Sequence, residues 1–515
     1  FSLGVKSHTN DNGGDLSSYL NRLFGVLNTA DSDREELPDY LASFPYVNGG
    51  LFADNIPPPE FSAKSRRMLI ECGSELDWSD INPDIFGSMI QAVVHPDQRG
   101  GMGMHYTSVT NIMKVIEPLF LNDMYEELER VDSSMTKLQK LQQRLGEITI
   151  FDPACGSGNF LIIAYKELRK LEMEVLKRLQ ELELEKTGQI SQPFSVIKLL
   201  QFYGLELDDF AHEVAILSLW LAEHQMNVEF RGEFGDCTAP LPLQKGGNIV
   251  CANATRVNWH DVCNTEAELY LIGNPPYAGQ KNQNSFHKAD LDAVFGGMSD
   301  YKKLDYISCW FYLGSKFIKR GQSLAFVTTS SISQGTQVDM LWPKLFGNEV
   351  EISFAYSPFK WSNNAMDNAG VTCTIIGLRK PSDAPKYIFD EGFKTGVIHI
   401  NAYLVNGSDI IVKKQNSAIS NLPKMQGGNQ PREGGYLMLT DNEKTDLVTQ
   451  DARVEEFIRP LMGSSEFIKG VKRWCIWITD ETLPRAREIS IISDRIDKVY
   501  EHRVNGNSVE KSFQK

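Results

Sequence analysis

Cysteine pairs, membrane-spanning runs and paired histidines are all absent from the sequence. Its eight cysteines include no Cys-x-x-Cys pair, which argues against a zinc site and against the disulfide framework of a secreted protein. No apolar run reaches membrane-spanning length, and no signal peptide is visible. The nine histidines form no pair at ligand spacing. These absences predict a cytoplasmic protein that holds no metal and contacts no membrane.

An excess of positive charge is also missing. The 515 residues contain 52 Lys and Arg against 67 Asp and Glu, so the formal net charge is −15. A nucleic-acid partner needs a local basic surface rather than a basic total, and the residues after about 380 are roughly neutral. The charge therefore weakens a DNA-binding hypothesis without excluding it.

Strands and helices alternate in the middle of the chain. The predicted strands are 147–152, 199–208, 248–254, 267–275 and 323–330, with a closing pair at 350–357 and 370–380. Long helices separate them, such as the amphipathic stretch 159–186. Alternation of this kind is typical of an open, mostly parallel α/β sheet that is covered by helices on both faces. Such sheets bind ligands at the carboxyl ends of their strands.

The region before the sheet has a helical pattern. Residues up to about 95 look mostly helical, and a further helix is predicted over about 105–128 with Thr107 or Ser108 as its cap. The charged stretch that follows resembles a solvated helix or a linker.

The first strand runs into a glycine-rich turn, "FDPACGSGNFLIIA" (151–164). Gly156 and Gly158 let the backbone approach a ligand closely, and the helix that follows presents its N-terminus. A dinucleotide site usually reads Gly-x-Gly-x-x-Gly. Here Asp152 comes first, and a carboxylate suits a ligand with an amino or sulfonium group. An ordinary strand–helix turn is the alternative.

Two further strand ends carry polar side chains. Glu206 ends the second strand, where an acid can hold ribose hydroxyls. Asp208 or Asp209 close by could instead cap the next helix. Asn253 ends the third strand, where its amide could contact an adenine edge or simply belong to a turn.

The fourth strand ends in "LIGNPPYAGQ" (271–280). Pro275 and Pro276 stiffen this loop, because each fixes its φ angle. The Asn274 side-chain oxygen and the Pro275 carbonyl are two acceptors that could hold both hydrogens of an exocyclic NH₂, and Tyr277 offers a ring for stacking on a base. Two such hydrogen bonds build electron density on an aromatic amine, so nucleophilic attack by that amine needs no deprotonating residue. A proline-rich turn is the alternative.

These motifs together resemble those of the amino-directed, S-adenosylmethionine-dependent DNA methyltransferases. Their order is "HYTS", "DPACGSGNF", "GLELD", "CANA" and "NPPY", as in the gamma arrangement, and the match covers roughly residues 100–380. The segments "PDIFGSMIQAVVHPDQRGGMGMHYTS", "FKWSNNAMDNAGVTC" and "FIRPLMGSSEFIKGVKRWCIW" resemble the single-chain type IIL restriction–modification family.

The resemblance implies an architecture of three domains. A helical connector is expected over residues 1–98, a Rossmann-like S-adenosylmethionine-dependent methyltransferase sheet over 99–382, and an incomplete α+β target-recognition domain over 383–515.

The resemblance also implies a role for each motif residue. Tyr106 and Thr107 would contact the methionine end of S-adenosylmethionine. The cofactor would be cradled, beside Asn274, by Asp152, Pro153, Ala154, Gly156 and Gly158. Glu206 would bind the cofactor ribose, and Asn253 would bind the cofactor adenine. Asn274, Pro275, Pro276 and Tyr277 would hold the target base, with Phe359 on its other side. Trp361 could replace Phe359, because the loop spacing is ambiguous. Many related enzymes carry Asp at the position of Asn253, but an amide oxygen can also accept from adenine.

The predicted function is methyl transfer to N6 of an adenine that is flipped out of a specific duplex DNA site. Three alternatives stay open: the same chemistry on cytosine N4, another acceptor amide or RNA base, and a methylation-inactive DNA-specificity module. No Pro-Cys dipeptide supports a cysteine nucleophile, so Cys155 is interpreted as a small residue packed under the cofactor loop.

Other interactions are less defined by the sequence. The family nuclease uses a Glu-x-Lys triplet, which is absent, so a nuclease domain either preceded this sequence or never belonged to it. Lys472, Arg473 and Trp474 are candidate DNA contacts, with a surface charge pair beside a buried Trp as the alternative.

Overall fold

The computed structural model describes most of the chain in two compact units, Phe1–Lys414 and Gln415–Lys515. The described residues are 1–44, 46, 52, 57–75, 107–235, 247–360, 372–413, 415, 421 and 432–506. Among them, no helix combines the length and apolar character that crossing a membrane requires.

A mixed sheet of ten strands forms the centre of the first unit. Its described strands are β1 (Thr149–Asp152), β2 (Phe202–Glu206), β3 (Asn248–Cys251), β4 (Leu269–Gly273), β5 (Ser323–Thr329), β6 (Glu351–Tyr356), β7 (Phe359–Lys360), β8 (Thr372–Arg379), β9 (Lys386–Asp390) and β10 (Phe393–Val397). The spatial order is β10-β9-β6-β8-β5-β4-β1-β2-β3, and β7 pairs with β8. Strands β3, β2, β1, β4 and β5 are mutually parallel, whereas β8 is antiparallel to both of its main neighbours.

Helices cover both faces of this sheet. The described α-helices of the first unit are Ser2–His8, Leu16–Asn28, Asp39–Ala42, Ala63–Ser74, Val109–Ile116, Asn122–Val131, Met135–Glu147, Asn159–Thr187, Asp209–Phe234, Trp259–Val262, Ser285–Phe295, Ser308–Phe317 and Gly335–Phe346. Successive side chains of a strand point to opposite faces. Ile150 and Phe151 of β1 accordingly belong to two different buried clusters, one on each side. The α/β fold that the sequence predicts is confirmed.

The helix predicted over 105–128 is interrupted by a π-helical turn. It begins after Ser108, runs as an α-helix over Val109–Ile116, continues as a π-helix over Glu117–Leu121 and returns to α-helix at Asn122. Pro118 lies in the π segment and has no N–H to donate.

The charged stretch after that helix is a packed element rather than a linker. Residues Met135–Glu147 form a helix in which Leu138, Leu141 and Leu145 are buried. Three leucines at helical spacing are enough to define a buried face, although most other residues of the helix are polar.

The sheet extends past residue 382, where the sequence predicts the start of the third domain. Strand β9 pairs in parallel with β6, and β10 completes a hairpin with β9. The Phe389 ring stacks on Tyr356 with ring centroids 4.5 Å apart. The three domain boundaries stay predictions.

The second unit is a small α+β domain. Its antiparallel sheet has the order β11-β13-β12, formed by Met438–Thr440, Arg473–Ile476 and Ile458–Leu461. Its helices in the described residues are Asp441–Gln450, Ser464–Lys469, Leu483–Arg487 and Ser490–Asn505. Leu439, Val454 and Ile492 lie in its own buried core.

Candidate active site

The site lies where the strand order of the parallel sheet reverses. From β1 the chain proceeds outward to β2 and β3 on one side, then returns to place β4 and β5 on the other side. In open α/β sheets, a ligand crevice forms at such a switch point, outside the carboxyl ends of the strands. Asp152 ends β1 and Asn274 directly follows β4, so the two side chains flank this crevice.

Asp152 and Gly273 determine how closely β1 and β4 approach. The Asp152 side chain is 1% exposed, and its Oδ1 atom accepts a hydrogen bond of 2.9 Å from the Ala154 N–H. Gly273 has φ +151°, and a Cβ atom there would lie 2.6 Å from Asp152 Oδ1. Only glycine fits this position. Sequence reasoning did not single out Gly273, because nothing in its local pattern shows a neighbour 121 positions away.

The Asp152 carboxyl has an unusual electrostatic environment. Its pKa is raised to about 8, mainly by burial and to a smaller extent by the nearby Glu206 carboxyl, while the hydrogen bond from the Ala154 N–H lowers it. Its second oxygen, Oδ2, is buried and has no hydrogen-bond partner in the described part of the chain. A buried acceptor of this kind favours a cationic or hydrogen-donating ligand.

Glu206 connects the glycine turn to the second strand. Its carboxylate accepts from the Gly156 N–H at 2.8 Å and from the Asp208 N–H at 2.9 Å, and burial raises its pKa. Gly156 has φ +55° and Gly158 has φ +85°, both in the region that favours glycine. Asp208 caps the next helix by accepting from the Ala211 N–H, so the capping alternative holds for this residue.

Pro153 and Cys155 of the glycine-rich turn are buried against neighbouring elements. The buried Pro153 has its carbonyl bonded to the Trp310 indole N–H at 3.0 Å. Cys155 is buried, and its Sγ would lie 2.9 Å from a Cβ atom placed on Gly204. Burial raises the pKa of the Cys155 thiol well above its usual value, the reverse of what a nucleophile needs. Its interpretation as a small packed residue agrees with this geometry.

Asn253 uses both ends of its amide within the protein. Its Oδ1 atom accepts from the Thr255 N–H and hydroxyl at 2.9 and 2.7 Å, and its Nδ2 atom donates to Asp290 at 3.2 Å. Asp290 also accepts from Arg256 and from the Tyr306 hydroxyl, each at 2.7 Å. The turn interpretation therefore describes the Asn253 side chain, and its contact with a cofactor adenine stays a prediction. Asp290 was missed by sequence reasoning.

The Asn274 side chain is bound by Thr107, which is 167 positions away in the sequence. Its Nδ2 atom donates to the Thr107 hydroxyl at 3.2 Å, and Thr107 is 3% exposed. The Asn274 Oδ1 atom is buried without a hydrogen-bond partner among the described residues. The donating end of the amide is thus engaged, and the accepting end is available. Tyr106, which is predicted to act with Thr107, lies outside the described residues.

The proline loop after Asn274 is held by its neighbours. Pro275 is buried and Pro276 half-buried. Just beyond them, the Ala278 N–H donates to Asp305 Oδ1 at 2.9 Å, and the Ala278 carbonyl accepts from Gln283 Nε2 at 2.8 Å. Both bonds are made by Ala278, so they fix the end of the loop that follows Tyr277 without using Asn274.

Tyr277 and Phe359 have one neighbour in common, Cys373. Tyr277 is half-buried, and its pKa is raised by burial and by the nearby Cys373 and Asp305. Phe359 lies in β7 and pairs directly with Cys373 of β8. Cys373 is thus a neighbour of both residues that are predicted to hold the target base. Trp361, the alternative to Phe359, lies outside the described residues.

The candidate DNA contacts in the second unit differ in their environments. Arg473 forms an ion pair of 2.9 Å with Glu466, and the Trp474 indole donates to Asp441 at 2.7 Å. Both side chains therefore have partners inside the unit. For Arg473 this agrees with the alternative interpretation as a surface charge pair. Lys472 is exposed.

No group of metal-ligating side chains is present in the described ranges.

Comparison with known proteins matches these elements to one family. The model described as "MmeI, DNA-methyltransferase domain" matches residues 128–390, "MmeI, target recognition domain" matches 406–515, and "MmeI, helicase spacer domain" matches 1–52. DNA methyltransferase A of Bacillus subtilis (strain 168) is 46% identical over 505 residues, which are 97% of this chain and 56% of that protein. This chain therefore spans little more than half the length of that relative.

A solved structure gives the same result. The type IIL restriction–modification enzyme MmeI in complex with DNA is 38% identical in sequence and superposes with a TM-score of 0.89, covering 99% of this chain and 69% of that one. The resemblance inferred from the sequence motifs is confirmed: the chain belongs to the MmeI-type, type IIL restriction–modification family, with a DNA-methyltransferase domain followed by a target recognition domain.

Proposed function

We propose that this chain transfers a methyl group from S-adenosylmethionine to N6 of an adenine in a specific duplex DNA site. The observation that carries the proposal is the Asn274 amide. Its nitrogen is engaged by Thr107, while its oxygen is buried, lacks a partner among the described residues and follows β4 beside Asp152. An acceptor so placed fits the amine of a base.

The described residues fit S-adenosylmethionine. When bound, this cofactor supplies a methyl group on a positively charged sulfur. Asp152 offers a buried acceptor without a hydrogen-bond partner in the described ranges, and a cationic ligand would stabilise its ionised form. The backbone of Gly156 and Gly158 permits close approach, and Glu206 ends the neighbouring strand where ribose hydroxyls can be held.

The acceptor side of the site orients the amine. Asn274 Oδ1 and the Pro275 carbonyl accept its two hydrogens, which concentrates the lone pair on nitrogen and directs it toward the crevice. Tyr277 and Phe359 hold the flipped base by its faces. The proton leaves the nitrogen after the new bond has formed, so no general base is needed. Orientation and fixed dipoles then account for the rate.

DNA is the proposed partner because the second unit falls within the match to a target recognition domain. A cytoplasmic location and an accompanying nuclease domain are predictions carried over from the sequence and the resemblance.

Sequencing of modified bases tests the reaction and the base together. Long-read detection in a host that expresses the full-length gene should return N6-methyladenine at one recurring sequence. N4-methylcytosine would support the second candidate function, since the same acceptors suit that amine. Absence of both marks, with the protein folded and saturated with cofactor, would contradict the proposal.

A variant of Asn274 tests directly whether its amide oxygen is needed for methyl transfer. Asn274→Ala should lower methyl transfer by about a hundredfold or more, because one fixed acceptor at the reacting atom is removed. Cofactor affinity should stay within about twofold of wild type. Asn248→Ala, at the opposite end of the sheet where β3 begins, is the matched control and should transfer normally. Near-normal turnover by Asn274→Ala would overturn the mechanism.

A further inference from the structure

Lys114, which has no acidic partner among the described residues, lies against the ring of Phe359. The Lys114 Nζ atom is 4.2 Å from the centroid of that ring and donates to Asn111 Oδ1 at 3.4 Å. Lys114 is half-buried, and burial lowers its pKa; no carboxylate in the described ranges offsets this. The negative face of the Phe359 ring compensates the partly desolvated charge. Both side chains are thereby restrained relative to each other.

The helix that carries Lys114 is itself well fixed. Helix Val109–Ile116 packs against β5, β8 and the long helix Asn159–Thr187. Its buried residues include Ile112, Val115 and Ile116, on the face that meets the sheet. Lys114 therefore projects from a rigid element, and Phe359 is held from two sides, by this helix and by the pairing of β7 with β8.

The residues directly before this helix contact the other part of the acceptor site, the Asn274 amide. Thr107, two residues before the helix begins, binds the Asn274 amide. Lys114 lies seven positions after Thr107, in the helix that begins directly after Ser108. One rigid segment thus contacts both the amide that accepts the target amine and the ring that packs against the target base.

We propose that Lys114 is a positioning residue for methyl transfer: it holds the Phe359 ring in the plane in which it packs on the flipped base, from the helix that follows the Asn274-binding Thr107. This inference rests on the proposed function. It assigns Lys114 no contact with the reacting atoms.

Single variants of Lys114 separate an effect on methyl transfer from an effect on binding of DNA or cofactor. Lys114→Met keeps the length of the side chain and removes its charge, and should lower the single-turnover transfer rate about three- to tenfold, the range expected for a partly buried cation–π contact. The KM for DNA and the cofactor affinity should change less than about twofold. Lys114→Arg should restore most of the rate. A rise in the KM for DNA with an unchanged rate would instead show a phosphate contact and overturn the positioning role.

A double variant tests the coupling. Phe359→Leu removes the ring, so adding Lys114→Met to it should lower the rate by less than about 1.5-fold. Fully additive effects would show that Lys114 acts independently of Phe359 and would overturn the inference. A duplex with 2-aminopurine at the target position gives a second readout: Lys114→Met should change its fluorescence in the flipped state, and Lys114→Arg should restore it.

Lys394 provides the matched control. Its ammonium group lies 4.0 Å from the Tyr387 ring centroid in the exposed β9–β10 hairpin, so Lys394→Met removes an equivalent contact outside the site and should transfer normally. Should Lys114→Met fail to fold, Lys114→Gln carries the same predictions. Failure of wild type to methylate DNA would remove the proposed function, whereas active wild type with an equally active Lys114→Met would remove this inference alone.

Discussion

Thr107 binds the nitrogen end of the Asn274 amide, which leaves the oxygen end for the acceptor crevice. An amide turned by 180° would present its NH₂ group to the amine of the base, and two donors repel. In the structure the Thr107 hydroxyl accepts from Asn274 Nδ2 in a buried setting, and the amide oxygen is left for the base.

Thr107→Val should therefore lower the methyl-transfer rate about five- to thirtyfold, since a buried donor loses its partner. Thr107→Ser keeps the hydroxyl and should recover most of the rate. Single-turnover kinetics and a cofactor titration separate two roles. A loss confined to cofactor affinity would contradict the amide-orienting role and favour the contact with the methionine end that the resemblance implies.

Residues of the site could be predicted where a strand end displays them. Asp152, Glu206 and Asn274 all follow buried strands, and parallel strands bring their carboxyl ends to one edge. Gly273 and Lys114 could not be predicted, because their partners Asp152 and Phe359 are distant in sequence and no spacing rule links them. Three-dimensional contact is the only signal for such residues.

The helix Met135–Glu147 shows how a polar composition can conceal a packed element. Leu138, Leu141 and Leu145 are its buried residues, and they lie on one side of the helix. A linker would tolerate change at any of these positions. A packed helix would not.

Leu141→Ala should lower the free energy of unfolding by about 2–5 kcal/mol, because it leaves a cavity in the core. Gln143→Ala on the exposed face of the same helix should change it by less than about 0.5 kcal/mol. Denaturant unfolding of both variants measures the difference. Equal, small changes in the free energy of unfolding of both variants would favour the interpretation of residues Met135–Glu147 as a linker.

Element prediction succeeded where the pattern was strong and failed where it was weak. The strands β1, β2 and β4 are buried over most of their length, and their apolar runs are visible in the sequence. Strand β10 is exposed over most of its length, so no alternation marks it as part of the sheet. The hairpin β9–β10 joins the sheet through β6, a pairing that only the folded chain shows.

At the scale of the whole molecule, the fold class and family could be read from the sequence, whereas the domain boundary expected near 383 stays a prediction. The contact boundary falls at Lys414, after the extended sheet, rather than at the change in composition near 383. Composition reports what a segment contains and not which strands it pairs with.

The buried Asp152 carboxyl links the stability of the first unit to pH. Its pKa is about 8 in the folded chain against an ordinary value of 3.8. Between these values, the unfolded chain has released the proton that the folded chain still holds, so unfolding becomes easier as pH rises. The free energy of unfolding should fall by up to about 1.4 kcal/mol per pH unit from this group. Asp152→Asn should remove that slope in denaturant unfolding at pH 5, 6, 7 and 8; an unchanged slope would contradict the assignment.

A positively charged ligand lowers the pKa of Asp152 again, because it stabilises the ionised carboxyl, which burial disfavours. Binding of S-adenosylmethionine should then expel a proton and tighten as the solution becomes more alkaline, up to about pH 8. Preparations kept alkaline and free of the methyl donor should be the first to aggregate or be cut by proteases, and adding the donor should protect them.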